Sequence, residues 1–426
     1  MQNPVRARVR TRFLSALVIG SALSLLFASQ TAVAQDLTLA DALSRVARGD
    51  PSIAVSAAQR QAAEASIRQA DVRPRDVIGV DVEDFAGTGP YSPIDRSQTT
   101  AWYERTWERG GKREARVGSA RSELEVAQQR GRLRMLDVLG QVQAAWVDVL
   151  AAEAAIPVAD ERLAVAQRLE REVARRVGRA LDPLFAGERA RTAVAQARIA
   201  RDQAVENARI ARASLAAWWG GGPDFRIDAR TFFQAADMAP VGEDIVDLGL
   251  LDAERQAAEA RIKLAEANSV TDPTVRAGVR HFGQGNEVAL VVGGSIPLGG
   301  RQANRGNVER AQAERLAAEA ELAVARVERK REINRLVAQR AALVTEIGRI
   351  DREVLPSAER AVVLVRDGFN RGGTAFTFLE VAQAQQAVID ARTRRLELLR
   401  RYHLDGVRLD RLTGRHASLI ASAENR

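Results

Sequence analysis

The chain has 426 residues, a formal net charge of +8 and no cysteine, and 46% of it is hydrophobic but only 4% aromatic. Four arginines of a candidate export segment at the N-terminus account for half of that charge. The remaining +4 is spread among interleaved acids and bases, too weak and mixed for a nucleic-acid partner. Without cysteine there are no disulfides, no thiol chemistry and no lipid anchor on an N-terminal cysteine, so stability must come from packing or assembly.

Residues 1–34 read as a secretory signal: Arg6, Arg8, Arg10 and Arg12 precede the apolar stretch Phe13–Phe27, and Ala32-Val33-Ala34 forms a cleavage site. No later run is expected to be long and apolar enough for a transmembrane helix. A first half, 35–245, then opens with a helix pair broken at Gly49-Asp50-Pro51, and Thr38 with Asp41 makes a capping box. Residues 76–108 predict a β-hairpin: VIGVDVEDF, a Gly/Pro/Ser-rich turn, then TTAWYERTW. Residues 112–177 predict one long helix, with Val117, Ala120, Leu124, Ala127, then Met135, Val138 and Val142 on a coiled-coil seam that slips through Gly131. Such a helix reaches roughly 100 Å, more than any globular core needs. Val177-Gly178-Arg179 turns it at a tip, residues 183–219 return as a helix, and 220–245 form an irregular equatorial collar containing Phe232 and Phe233.

A second half, 246–414, repeats the order: a helix, a hairpin at 273–298 with a Gly-Gln-Gly-Asn turn, and a helix at 301–367. A second tip at Gly372-Gly373-Thr374 and a return helix at 375–413 follow. RQAAEA occurs at Arg60–Ala65 and again at Arg255–Ala260, and Gly110-Gly111-Lys112 answers Gly299-Gly300-Arg301. The chain therefore reads as an internal two-fold repeat. Pro157 and Pro356 should each kink or restart a helix, and residues 415–426 read as an unstructured tail.

Four strands of about ten residues have the length of tilted transmembrane β-strands, yet four cannot close, and an open edge in lipid leaves backbone groups unpaired. Three chains would supply twelve, within the range of outer-membrane barrels. Ile78, Val80, Val82, Val288, Leu290, Val292 and Ile296 would face lipid, Asp81, Glu83, Arg276 and Arg280 the lumen, and Tyr103 and Trp107 an aromatic girdle. A soluble packing of the two hairpins is the competing arrangement, because Ala289, Val291 and Ser295 make the last strand fairly apolar on both faces.

No catalytic chemistry, cofactor site or metal site is legible. His281, His403 and His416 are scattered, where a zinc or copper site needs clustered ligands. His403 reads as a helix-surface residue and His281 as an interfacial one. Gly220-Gly221-Gly222 precedes proline rather than a phosphate-binding helix. A conduit does not need ligands, since tight sites would obstruct passage.

Asp50-Pro51, the run QADVRPRDVIGVDVEDFAG (Gln69–Gly87), ERGGKREAR (Glu108–Arg116) and SIPLGGR (Ser295–Arg301) resemble the TolC-type outer-membrane efflux proteins over essentially the whole chain after the signal. The resemblance is strongest to the CzcC-like heavy-metal branch, for which the Gly-Gly-Lys-Arg turn is fairly specific. It implies a mainly α fold with a membrane β part: a homotrimer with a twelve-stranded outer-membrane β-barrel continuing into a periplasmic α-barrel of antiparallel coiled-coil helices. It also implies a periplasmic adaptor and an inner-membrane resistance-nodulation-division pump as partners. By the same resemblance, Val177, Gly178, Arg179, Gly372, Gly373 and Thr374 would contact the adaptor, with Arg179 and Gly372 departing from the family pattern. Asp182, Thr377 and Glu380 stand where that family places its periplasmic gate. A duct of the same kind for organic solutes or secreted polypeptides is the first alternative. A soluble periplasmic coiled-coil adaptor is the second, but that would need one helical hairpin flanked by lipoyl-like domains.

Overall fold

The computed structural model describes residues 35–91, 94–235, 247–371 and 377–424; the predicted export segment and the second tip, Gly372-Gly373-Thr374, lie outside them. In chain order the elements are β1 (Gln35–Asp36), α1 (Leu39–Gly49), α2 (Pro51–Ala70), β2 (Val77–Glu83), β3 (Gln98–Thr106), α3 (Lys112–Gly178) and α4 (Leu184–Ala217). They continue with β4 (Phe225–Arg226), α5 (Asp247–Asn268), β5 (Thr274–Phe282), β6 (Val288–Ser295), α6 (Gly300–Arg349), α7 (Leu355–Asn370), α8 (Phe378–Leu412) and α9 (Ala417–Glu424).

Local chemistry sets the boundaries. The Thr38 hydroxyl accepts from the Asp41 amide (3.2 Å) while the Asp41 carboxylate accepts from the Thr38 amide (3.3 Å), closing the capping box of α1. Asp50 caps α2 by accepting from the Ser52 amide at 2.7 Å, with Pro51 in the first turn. The glycines that open the two long helices, Gly111 and Gly299, hold φ of 70° and 78°, a region open chiefly to glycine.

α3 and α4 form one antiparallel hairpin, and α6–α7 with α8 the other, with α8 packed on α3. Ala186, Ala190, Ala197 and Ala208 are buried along α4, so small side chains let the helices approach closely. Larger side chains concentrate midway, where Leu139, Val142, Leu215, Phe232 and Leu399 are at most 1% exposed. Each such burial contributes about 1.5–3 kcal/mol, so this equatorial region is the main core.

The two hairpins fuse into one antiparallel sheet of order β2-β3-β5-β6, joined through Trp102↔Gly278 between β3 and β5. Among the described residues, β2 and β6 have no outer neighbour. α5 lies between α3 and α6, whereas its counterpart α2 packs mainly on α3 and buries no residue.

Several expectations need correction. The tail after Gly414 is not unstructured: α9 folds back and buries Ile420 against the core. Pro157 does not interrupt α3, whereas Pro356 stands, as expected, where the helix restarts, in the first turn of α7 after a π-turn at Ile350–Val354. One window of α3 is long and apolar enough to cross a membrane by composition, contrary to expectation. Of that window 39% is buried, and Met135, Leu139, Val142, Trp146 and Val149 of α3 join the main core.

His403 is no surface residue. Its Nε2 donates to the Phe232 carbonyl at 2.8 Å, and its ring stacks on Phe232 with centroids 5.3 Å apart. Burial pushes its pKa below the ordinary value, with the Phe232 hydrogen bond opposing and nearby Arg340 reinforcing the shift. His416 is lowered too, chiefly by burial. As pH falls below about 6.5 the unfolded chain takes up these protons first. The stability of the neutral histidines is thus present above that pH and lost as pH falls through their folded values. Thermal unfolding should therefore occur at lower temperature at pH 5.5 than at 7.5, and a His403→Gln, His416→Gln variant should narrow the difference. An unaltered difference would show that other groups carry it.

Candidate functional site

The sheet separates its side chains by chemistry. Paired residues share a face, so the register Val80↔Ala101↔Val279↔Leu290 gathers one face and Asp81↔Thr100↔Arg280↔Ala289 the other. On the first, Ile78, Leu290 and Val292 are 81%, 84% and 78% exposed, an apolar surface that none of the described residues covers. Tyr103 shares that face and is exposed, as is Trp107 just beyond the end of β3.

The second face carries all four predicted lumen residues, and they are paired. Arg276 lies 3.4 Å from Asp81 and 3.7 Å from Glu104, with its guanidinium 3.7 Å from the centre of the Trp102 ring. Arg280 donates to Thr100 (2.9 Å), Gln98 (3.0 Å) and Glu83 (2.9 Å). His281, on the apolar face at the strand end, is 2.6 Å from Asn286 of the turn.

At the other end of the molecule α3 closes into its tip. The Leu181 amide donates to the Arg176 carbonyl (2.9 Å) and that of Ala180 to Val177 (2.9 Å), with Ala180 itself at φ 54°. Val177 packs on the cluster of Val173, Ala186 and Ala190; Gly178 and Arg179 are exposed. Leu181, Leu184 and Phe185 extend the exposed surface with apolar side chains.

Arg176 ties this tip together. It holds Asp182 with two hydrogen bonds (2.9 and 3.1 Å), donates to the Phe369 carbonyl at 3.2 Å and stacks on the Phe369 ring at 4.3 Å. The Asp182 carboxylate raises the Arg176 pKa, fixing its charge. Phe369 lies in the last turn of α7, so the Arg176 side chain joins the two helical hairpins. Farther from the tip, Arg392 of α8 bridges Glu161 of α3 and Glu359 of α7. Between these links lies a cavity of about 490 Å³, floored by Val381, Val388 and Ile389.

Glu380 stands elsewhere: it accepts from the Thr377 amide at 2.5 Å and so closes a capping box that starts α8. Asp182 and Glu380 are thus engaged with different partners. Arg176 and Phe369 stand beside these acids without belonging to the predicted gate. The readable signal was an arginine six residues before an aspartate across a helix end. Among the described residues no three metal-ligating side chains converge.

No protein-family model matches the chain. It is 28% identical over 390 residues to the cobalt-zinc-cadmium resistance protein CzcC of Cupriavidus metallidurans, an alignment covering 89% of this chain and 90% of that one. It is 28% identical over 354 residues to the nickel-cobalt-cadmium resistance protein NccC of Alcaligenes xylosoxydans xylosoxydans, covering 80% and 78%. Its fold matches the outer membrane protein VceC of Vibrio cholerae with a TM-score of 0.70 at 20% identity, over 88% of this chain and 96% of that one.

Proposed function

We propose that the chain is a TolC-type outer-membrane efflux protein of the CzcC-like branch and the exit duct of a tripartite pump, passing heavy-metal cations across the outer membrane. It is a passive conduit with a large periplasmic part: an inner-membrane resistance-nodulation-division transporter supplies the energy and a periplasmic adaptor joins the two.

One observation carries the assembly: the chain is unfinished on its two flanks in complementary ways. Among the described residues, β2 and β6 each offer a free edge. Four antiparallel strands alternate in direction, so β6 of one copy meets β2 of the next antiparallel, and three copies close twelve strands without an edge. Among the described residues, α2 likewise lacks the second neighbour that α3 gives to α5 within the chain. A neighbouring α6 would complete it, as the internal repeat would require. Exposed Ile199 and Ile210 on α4 and Val363 and Leu364 on α7 suit the same ring of contacts.

The tips, Val177 to Arg179 and Gly372 to Thr374, are the adaptor contacts in this reading. Gly178 supports it. It lies in helical conformation with nothing within 4 Å of where a Cβ would stand, so the fold makes no demand for glycine there. A partner backbone approaching closely would. Gly178→Leu should leave trimer stability unchanged or improved by up to about 1 kcal/mol, while abolishing resistance in cells. Retained resistance would remove Gly178 from the contact. The periplasmic gate is Asp182 acting through Arg176, with Thr377 and Glu380 holding the start of α8, and adaptor binding shifts the population towards open tips.

The functional test is deletion of the gene followed by exposure to cobalt, zinc, cadmium, nickel, copper and silver salts. Sensitivity to at least one divalent metal, reversed by the gene in trans, is expected. Unchanged metal tolerance with new sensitivity to organic compounds would contradict the metal assignment.

A further inference from the structure

The charged face of the sheet does more than avoid lipid. Its acids, Asp81, Glu83 and Glu104, outnumber its arginines, Arg276 and Arg280, by one in each chain, and each arginine is engaged by at least one of the acids. The neighbouring strand β6 contributes only Ala289, Val291, Gly293 and Ser295 to that face, with open space above Gly293. Charge is thus concentrated on three strands and absent from the fourth.

Trp102 fixes the arrangement. Its ring lies over Gly79, where a Cβ would come within 2.2 Å of it, while its own Cβ stands against Gly278, where an added Cβ would come within 2.9 Å of it and 2.6 Å of the Ala101 carbonyl. The ring is thereby laid along the sheet, and Arg276 rests on it between Asp81 and Glu104. A guanidinium stacked on a ring and paired on two sides is held in place, not free to sweep the lumen.

We propose that Arg276 and Arg280 are the specificity-determining residues of the barrel, a charge filter that offsets most of the lumen's acid and leaves a small net negative charge. Cations then pass in preference to anions, and no acid is left free to bind a divalent metal tightly. A ring of unpaired carboxylates would raise local cation concentration but slow release. The paired ladder keeps the sign of the field while lowering its depth. The inference rests on the duct reading, because only a closed barrel turns this face inward.

The test is the potassium-to-chloride permeability ratio of the purified protein in planar bilayers under a salt gradient. The wild type should favour potassium modestly. Arg276→Gln with Arg280→Gln unpairs the acids and should raise the ratio by roughly tenfold, while Asp81→Asn with Glu83→Gln should turn the preference towards chloride. Arg276→Lys with Arg280→Lys keeps the charge and should keep the ratio, which separates charge from mere packing. Heat-dissociable trimers on gels identify variants that assemble, and the glutamine, amide and lysine pairs offer independent routes should one misfold. A conducting wild-type channel whose ratio is unmoved by these changes overturns the filter alone. A protein that conducts nothing even with Arg176→Ala opening its tips overturns the duct reading, and the filter with it.

Discussion

Arg176→Ala is expected to raise the open probability of single channels in planar bilayers by tenfold or more. The guanidinium is mostly buried, makes two hydrogen bonds to Asp182, donates to the Phe369 carbonyl and covers the Phe369 ring. Hydrogen bonds to charged groups contribute about 1.5–3 kcal/mol each, and about 1.4 kcal/mol is a factor of ten in a closed-to-open equilibrium. Removing a link between hairpins once per chain therefore outweighs any single exposed ion pair along the helices, which contributes about 0–1 kcal/mol. Asp182→Ala should act in the same direction, and the double variant should add little, because the two groups share one interaction. Glu380→Ala should instead fray the start of α8. An open probability unchanged by Arg176→Ala would remove Arg176 from the gate.

Phe232→Ala should be the most damaging single truncation of the equatorial core, at about 3–5 kcal/mol. Its side chain is fully buried, stacks on His403 and meets Phe233 edge-on with centroids 5.6 Å apart. It anchors the segment Phe225–Phe233 to α3 and α8. The cavity left behind would also admit water to His403, so the acid sensitivity that this histidine contributes should diminish in the same variant. Thermal unfolding of the detergent-solubilised protein at two pH values reads the two effects together. A loss below about 1 kcal/mol would place the core elsewhere.

The strands were legible because a period of two survives every change of context. Val275, Ala277 and Val279 against Arg276, Gly278 and Arg280 declare two faces before any fold is known, and the sheet keeps both. The helices were legible from the seams and from the glycine pairs that precede α3 and α6. What could not be read depends on encounters between distant residues. Arg176 meets Phe369 across 193 positions and His403 meets Phe232 across 171; no local pattern marks either pair. α9 was missed for a related reason. Eight residues are too few to hold a helix by propensity; Leu419 and Ile420 packed on the core fix it. At the candidate gate, the acids were visible in the sequence but their partners were not. Asp182 and Glu380 therefore looked alike, although one holds an arginine and the other a helix start.

The most direct measurement is the state of the protein extracted from membranes: its sedimentation with the outer membrane, its mass in detergent by light scattering, and its current in a planar bilayer. Three chains in one heat-dissociable, conducting particle is the predicted result. A single chain recovered from the soluble periplasm, stable in water with its β2 and β6 edges unpaired, would contradict it.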